Sequence, residues 1–486
     1  MMYRCKYFTL RELVNPGFLG TSESILWRLF DERLLKLADK IREKYGPCTI
    51  NANGLVDCGL RKMDSKTGAR YSAHCFDTDT EVLTLNGWKR YDEISVGENI
   101  LSFNMKTGAI ETDNINNIII QKYTGNMVVL KNKLVDICVT DRHELVLKKQ
   151  NGQYIKKTDK VFDSEYIKQK KEPYKKEFAI DVLGKRKRIV CCGKKQDGEN
   201  NIDLLDLLVC AFVCDGWYAS RGVIEFNFIK ERKIKRVREI VKAMGLKCKE
   251  HAIIRKGGVG VCFRISDKNT VSKIRDLCGE TKNIPLAWLR RHGEAIKTLV
   301  KELVFYDGHV DERPGCKSFL FVTTNKHNAD MISAMGSVAG LRTCVAIRPP
   351  VNERCKKQFI VNFADSLVVR HDIKTSKNIE YIESVDNKTV WCINTNNHTL
   401  IVRRNGKICV SGNCFGRALD LHIRSIELEA AKITDATARK KWKRDAYNKV
   451  REELMVNHEF DLLSFENNIS WLHISVENRD NRLFNP

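Results

Sequence analysis

Val410-Ser411-Gly412-Asn413-Cys414 decides how this sequence divides. An asparagine amide can attack its own backbone carbonyl and cut the chain, and an adjacent thiol can take up an acyl group. Cys75 stands upstream as a second such thiol, so residues 75–413 form a segment of 339 residues with chemistry at both ends. Texture changes inside it. Cys75 to near Phe162 reads as short strands broken by turns (TLNGWK, NMKTGA, KQNGQY). Lys168–Lys195 reads as a basic connector, and Ile202 to near Leu367 as helices alternating with strands. Short strands return in TVWCINT, HTLIVRR and KICVSGN. Outside the segment, Leu26–Glu43 and Ile423–Met455 have helical apolar spacing, and Ile469–Val476 alternates as a strand does. The pattern is that of one domain inserted into another.

The junction residues resemble an intein. CFDTDTEVLTLNGWKRYDEI (75–94) is similar to the N-terminal intein block, Thr140-Asp141-Arg142-His143 to its T-x-x-H block, and Val390–Ile393 with His398–Leu400 to the penultimate block. By that resemblance Cys75 attacks the carbonyl of His74, assisted by Thr140 and His143. Cys414 then takes the acyl group and Asn413 cyclises. The family has His before the terminal Asn where this chain has Gly412, which leaves His398 and Cys392 as candidate proton relays.

Joining residue 74 to residue 414 gives Ser72-Ala73-His74-Cys414-Phe415-Gly416-Arg417-Ala418-Leu419-Asp420, or S-x-H-x-x-G-x-A-x-D. This resembles the zinc motif of D-Ala-D-Ala carboxypeptidase-like peptidases of the phage type, and Trp471-Leu472-His473 resembles their W-x-H segment. The resemblance implies Zn²⁺ on His74, Asp420 and His473, with an open fourth position for water. Arg61 would hold the substrate carboxylate. For the general base, the E-x-x-H that some relatives carry would need an acid at position 470, where this chain has Ser470, and Glu466 is the nearest acidic alternative.

Within the segment, Leu208–Gly216 (LVCAFVCDG) and Val300–Gly308 (VKELVFYDG) form a degenerate repeat of apolar helices ending in Asp-Gly. They resemble the paired helices of LAGLIDADG homing endonucleases. That implies Mg²⁺ on Asp215 and Asp307, an assisting Lys282 from Lys282-Asn283-Ile284-Pro285, and double-stranded DNA as partner. Cys210, Ala211 and Cys214 keep the small residues such a helix pair needs, whereas Glu302 and Tyr306 are large.

The expected architecture is therefore multidomain. An α+β zinc peptidase spans 1–74 and 414–486, an all-β splicing domain spans 75–200 and 368–413, and an α/β endonuclease spans 201–367. The expected function is a self-splicing precursor of a peptidoglycan peptidase. Its rival is an autocleaving module with a decayed nuclease and a non-catalytic wall-binding host. Composition agrees with several domains, since 486 residues exceed a single core. Net charge is +23, and +18 of it lies in residues 75–413, on the part expected to meet DNA. The absence of any apolar run of about 18 residues argues against a membrane-spanning chain. The opening MMYRCKYFTLRELV lacks a signal-peptide core, so cytoplasm of a bacterial host before lysis is expected. Eighteen scattered cysteines suggest reduced thiols rather than a disulfide framework.

Overall fold

A closed four-stranded barrel organises the segment between Cys75 and Asn413. The computed structural model describes residues 3–13, 23, 27, 30, 32–50, 75–141, 143–149, 173–220, 222–255, 258–311, 318–350, 352, 355–371, 378–413, 418–476 and 482–484. Strands Asn117–Lys131 and Ile379–Asn394 pair antiparallel from Asn117↔Asn394 to Lys131↔Ile379, with one irregularity between Val385 and Lys388. Asp136–Thr140 joins the other side of Asn117–Lys131. Phe76 closes the ring by pairing with both Trp391 and Val139. Strand-forming residues with large apolar side chains fill it, among them Met127, Val128, Leu130, Val139 and Trp391. The expectation of short strands is thus corrected here, for these two run 15 and 16 residues. The basic connector is corrected as well. Tyr174–Phe178 is a strand paired with Glu144–Lys148, and its lysines are neutralised in place by Glu177 and Glu144.

The module between Asp203 and Ala364 repeats one topology twice. Helix Leu204–Asp215 runs into strand Gly216–Ser220, then Val223–Phe228, helix Glu231–Ala243, and the hairpin Cys248–Arg255 and Gly258–Ile265. Helix Gly293–Asp307 runs into Gly308–Val310, Ser318–Thr323, helix Lys326–Val338, and the hairpin Arg342–Arg348 and Gln358–Ala364. In each half the fourth strand of the chain order pairs between the second and the third. The second half is continuous with the barrel's flanking sheet through Cys344↔Lys407.

Residues from both ends of the chain share a five-stranded sheet. Cys48–Ile50 pairs with Ala418–Ile423, which pairs with Leu472–Ser475, followed by Ser464–Glu466 and Leu483–Phe484. Leu34, Leu35, Ala38 and Ile41 of helix Glu32–Tyr45 cover it together with Leu454. The long helical pattern after Ile423 is two helices, Arg424–Ala431 and Ala436–Val456, because the Asp435 carboxylate caps the second through Ala438 N. Among the described residues the chain is mostly β, with one small barrel, and no helix is long and apolar enough to cross a membrane.

Candidate functional site

Two aspartates end the two repeated helices and face a common lysine. Lys233 Nζ lies 2.6 Å from Asp215 Oδ2 and 3.6 Å from Asp307 Oδ1. Close helix packing makes this convergence achievable. The thiols of Cys210 and Cys214 donate to the backbone carbonyls of Leu299 and Leu303 at 4.0 and 3.8 Å, so the first helix presents small residues to the backbone of the second. Burial pushes both thiols well above the usual range, which keeps their protons in place for those contacts. Asp203 and Asp206 form a reciprocal cap at the start of the first helix. Asp206 also clamps Arg291 at 2.5 and 3.0 Å and accepts from the Trp288 indole at 2.9 Å, which ties that end to the approach of the second helix.

The glycine after each aspartate has a steric reason. A Cβ on Gly216 would lie 2.9 Å from Phe212 Cα, and one on Gly308 would lie 2.4 Å from Leu320 O. Each strand can therefore leave its helix only at a residue without a side chain, and that tight exit fixes where the aspartate points. Burial, and then the charge of Asp215, pushes the Asp307 carboxyl above the usual carboxylate range. Lys233 and, less strongly, Lys282 oppose this, and the Lys282 ammonium donates to Gly216 O at 2.8 Å. The large residues of the second repeat also find partners. Glu302 takes a two-pronged contact from Arg236 at 2.8 and 2.9 Å, and Tyr306 packs beside Phe228 at 6.3 Å between ring centres.

Sequence reading missed Lys233 and Arg236. They sit in KERKIKR, a run that reads as a solvated basic face, yet Lys233 falls on the buried stripe of its helix with Ile234, Val237 and Ile240. That helical register was the available signal.

A second cluster lies at the barrel wall. Cys75 is fully buried, its N–H donates to Thr140 Oγ1 at 3.0 Å, and Thr140 N–H donates to Cys75 O at 3.0 Å. His143 Nε2 lies 2.7 Å from Ser411 Oγ, and its ring meets Phe76 edge-on at 4.4 Å. Asn413 donates through Nδ2 to Thr395 Oγ1 at 3.2 Å, while its Oδ1 is buried without a hydrogen-bond partner. Gly412 has a packing cause, because a Cβ there would meet Glu144 Cβ and O at 2.8 Å. Cys392 is buried in the barrel strand opposite Ile119. His398 adopts φ +54°, and its carbonyl accepts from Lys176 at 2.8 Å. Cys414 lies outside the described residues.

In the terminal sheet, Asp420 and His473 are cross-strand partners, with His473 Nδ1 2.7 Å from Asp420 Oδ1 and 3.9 Å from Glu466 Oε2. His74 and Arg61 lie outside the described residues. Among the described residues no group of three or more His, Cys, Asp or Glu side chains is placed to hold a metal ion. A zinc peptidase domain is not shown, and Asp420 and His473 meet as a hydrogen-bonded pair.

No family profile matches the chain. The ribonucleoside-diphosphate reductase subunit beta of Aquifex aeolicus (strain VF5) is 24% identical over 371 residues, covering 70% of this chain and 50% of that protein. This chain thus spans about half the length of the curated relative it matches. Solved structures of LAGLIDADG proteins align with about a third of the chain. I-DmoI in complex with DNA and Mn covers 33% of this chain and 89% of its own, at 13% identity and a TM-score of 0.24. The N-terminal LAGLIDADG domain of DUF199/WhiA covers 33% and 74%, at 8% identity and a TM-score of 0.24.

These findings correct the sequence reading. The reductase relative overturns the identification as a peptidoglycan peptidase interrupted by a self-splicing insert, together with the rival of an autocleaving module on a wall-binding host. The zinc metallopeptidase and carboxypeptidase activities, the cell-wall peptides as partners, and autocatalytic splicing go with it.

Proposed function

We propose that this chain is a DNA-binding protein that cleaves phosphodiester bonds with the carboxylates Asp215 and Asp307 and a divalent cation. The observation that carries this reading is their convergence from the ends of two topologically repeated helices. Two carboxylates suit a hard cation such as Mg²⁺, which binds one or two protein carboxylates and completes its shell with phosphate oxygens and water. When bound, the cation supplies charge stabilisation for in-line displacement at phosphorus. The chain's own residues do the rest. The helix pair fixes the spacing of the carboxylates, and Lys282 is held beside them through Gly216 O. The +18 charge of residues 75–413 attracts the polyanion.

The test is selection from a random duplex library, followed by incubation of the bound fraction with Mg²⁺. Cleavage that is lost in Asp215→Asn and Asp307→Asn, with binding retained, is expected. Binding that survives without any cleavage by the unaltered chain would sink the nuclease reading. A second reading, an oxidoreductase subunit, is favoured by the reductase relative. It requires that, with a dithiol supplied as the two-electron reductant, the chain support replacement of the ribose 2′-hydroxyl of a nucleoside diphosphate by hydrogen, the hydroxyl leaving as water and the dithiol ending as a disulfide, which a direct product assay detects.

A further inference from the structure

Lys233 occupies the space between the two carboxylates where a cation would have to sit. Its helix, Glu231–Ala243, belongs to neither of the acid-bearing helices, and its side chain is 9% exposed. The ammonium is 2.6 Å from Asp215 and 3.6 Å from Asp307, and Phe228 and Tyr306 rings flank it at 5.9 and 6.0 Å. A Mg²⁺ ion binds oxygen at about 2.0–2.1 Å and brings a shell of water or phosphate with it. That shell and the ammonium cannot share the gap between the two aspartates. The obstacle is movable, because a lysine ammonium is a point charge on a flexible four-carbon stem. Lys230 at the start of this helix, and Arg232 and Lys235 on it, are exposed, so a phosphate backbone drawn to this surface would offer Lys233 a new partner.

We propose that Lys233 is the resident counter-ion of the acid pair and that DNA, by drawing its ammonium onto a phosphate, opens the pair to a divalent cation. Cation binding is then DNA-dependent, and the protein stays metal-free until substrate arrives. This rests on the nuclease reading of Asp215 and Asp307.

The test is calorimetric titration of Mn²⁺ into the full chain, with and without a mixed-sequence duplex of about 30 base pairs. Without DNA, Lys233→Met is expected to bind Mn²⁺ about tenfold more tightly than the unaltered chain, about 1.4 kcal/mol. Lys233→Arg, which keeps the charge, is expected to stay weak, and DNA should bring the unaltered chain to the affinity of Lys233→Met. Equal Mn²⁺ affinity of the unaltered chain and Lys233→Met without DNA overturns the proposal. So does Lys233→Arg binding as tightly as Lys233→Met. If Lys233→Met does not fold, the comparison of the unaltered chain with and without DNA decides alone, and no gain in Mn²⁺ affinity with DNA overturns the proposal. Mn²⁺ binding that persists in Asp215→Asn, Asp307→Asn places the cation elsewhere, and then the nuclease reading itself has failed.

Discussion

Glu427 shows how a side chain without any motif can govern local stability. His422, Lys443 and Tyr447 reach its carboxylate at 3.3, 2.6 and 2.9 Å. Burial by itself would raise its pKa, but these three hydrogen bonds outweigh burial and hold it down to about 2 from an ordinary 4.5. A depressed folded-state value means the stabilisation is present in full above the unfolded value and is lost as pH falls toward the folded one. The terminal sheet should therefore weaken between pH 4.5 and about 2. Melting temperatures of the unaltered chain and Glu427→Gln should differ most near neutral pH and converge at the acid end of that window. Parallel curves across it would show that the clamp carries no linked stability. Neither His422 nor Lys233 belongs to a sequence motif. Lys233 acts through partners on two other helices, and His422 through Glu427 across a strand-to-helix corner, and neither spacing nor composition reports such partners. Asp215 and Asp307 were legible for the opposite reason, since each is the end of a local apolar helix followed by an obligatory glycine.

Among the elements, the strands around Glu380 carry a buried ionic cluster. Glu380 Oε1 lies 2.5 Å from Lys187 Nζ and 2.9 Å from His371 Nδ1, and Gly184 N–H donates to Oε2 at 3.0 Å. It joins Lys187–Val190, Val368–His371 and the long barrel strand Ile379–Asn394. Burial pushes the Lys187 and His371 values down, so the glutamate is what keeps the lysine charged inside the wall. Glu380→Ala leaves that ammonium buried and unpaired, and should cost about 3 kcal/mol of stability by denaturant titration. A loss below about 0.5 kcal/mol, the range of an exposed pair, would show that water replaces the carboxylate. Elements of this kind were the least legible part of the fold. Local alternation identified strand texture from Cys75 onward. It could not reveal that Asn117–Lys131 and Ile379–Asn394, more than 200 positions apart, pair along their whole length with one irregularity. Pairing length is set by the partner strand rather than by turn residues. Tyr174–Phe178 escaped detection because Lys176 is compensated across the sheet by Glu144, not by a neighbour along the chain.

At the scale of the whole molecule, the barrel segment and the acid-helix module are joined by one buried guanidinium. Arg403 grips Glu81 at 2.8 and 2.9 Å from the barrel side and Asp330 at 2.6 Å from helix Lys326–Val338, while its plane stacks over Trp88 at 4.6 Å. The Trp88 indole also donates to Asp330 O at 3.2 Å, so the same aspartate is held twice. The two modules also pair backbone to backbone at Cys344↔Lys407. Two modules connected by this backbone pairing and a nearly buried charge should unfold together, because opening one exposes the unpaired charges of the other. Calorimetry of the full chain should therefore show the barrel and the acid-helix module melting in one transition. Arg403→Ala leaves Glu81 and Asp330 facing each other without a cation and should cost about 2–3 kcal/mol, with the transition splitting or broadening as the modules uncouple. If the unaltered chain already melts these two modules separately, or if Arg403→Ala lowers both by the same amount without broadening, then the guanidinium adds stability but not coupling. In that case the position of the carboxylate pair is set within its own module, independently of the barrel beside it.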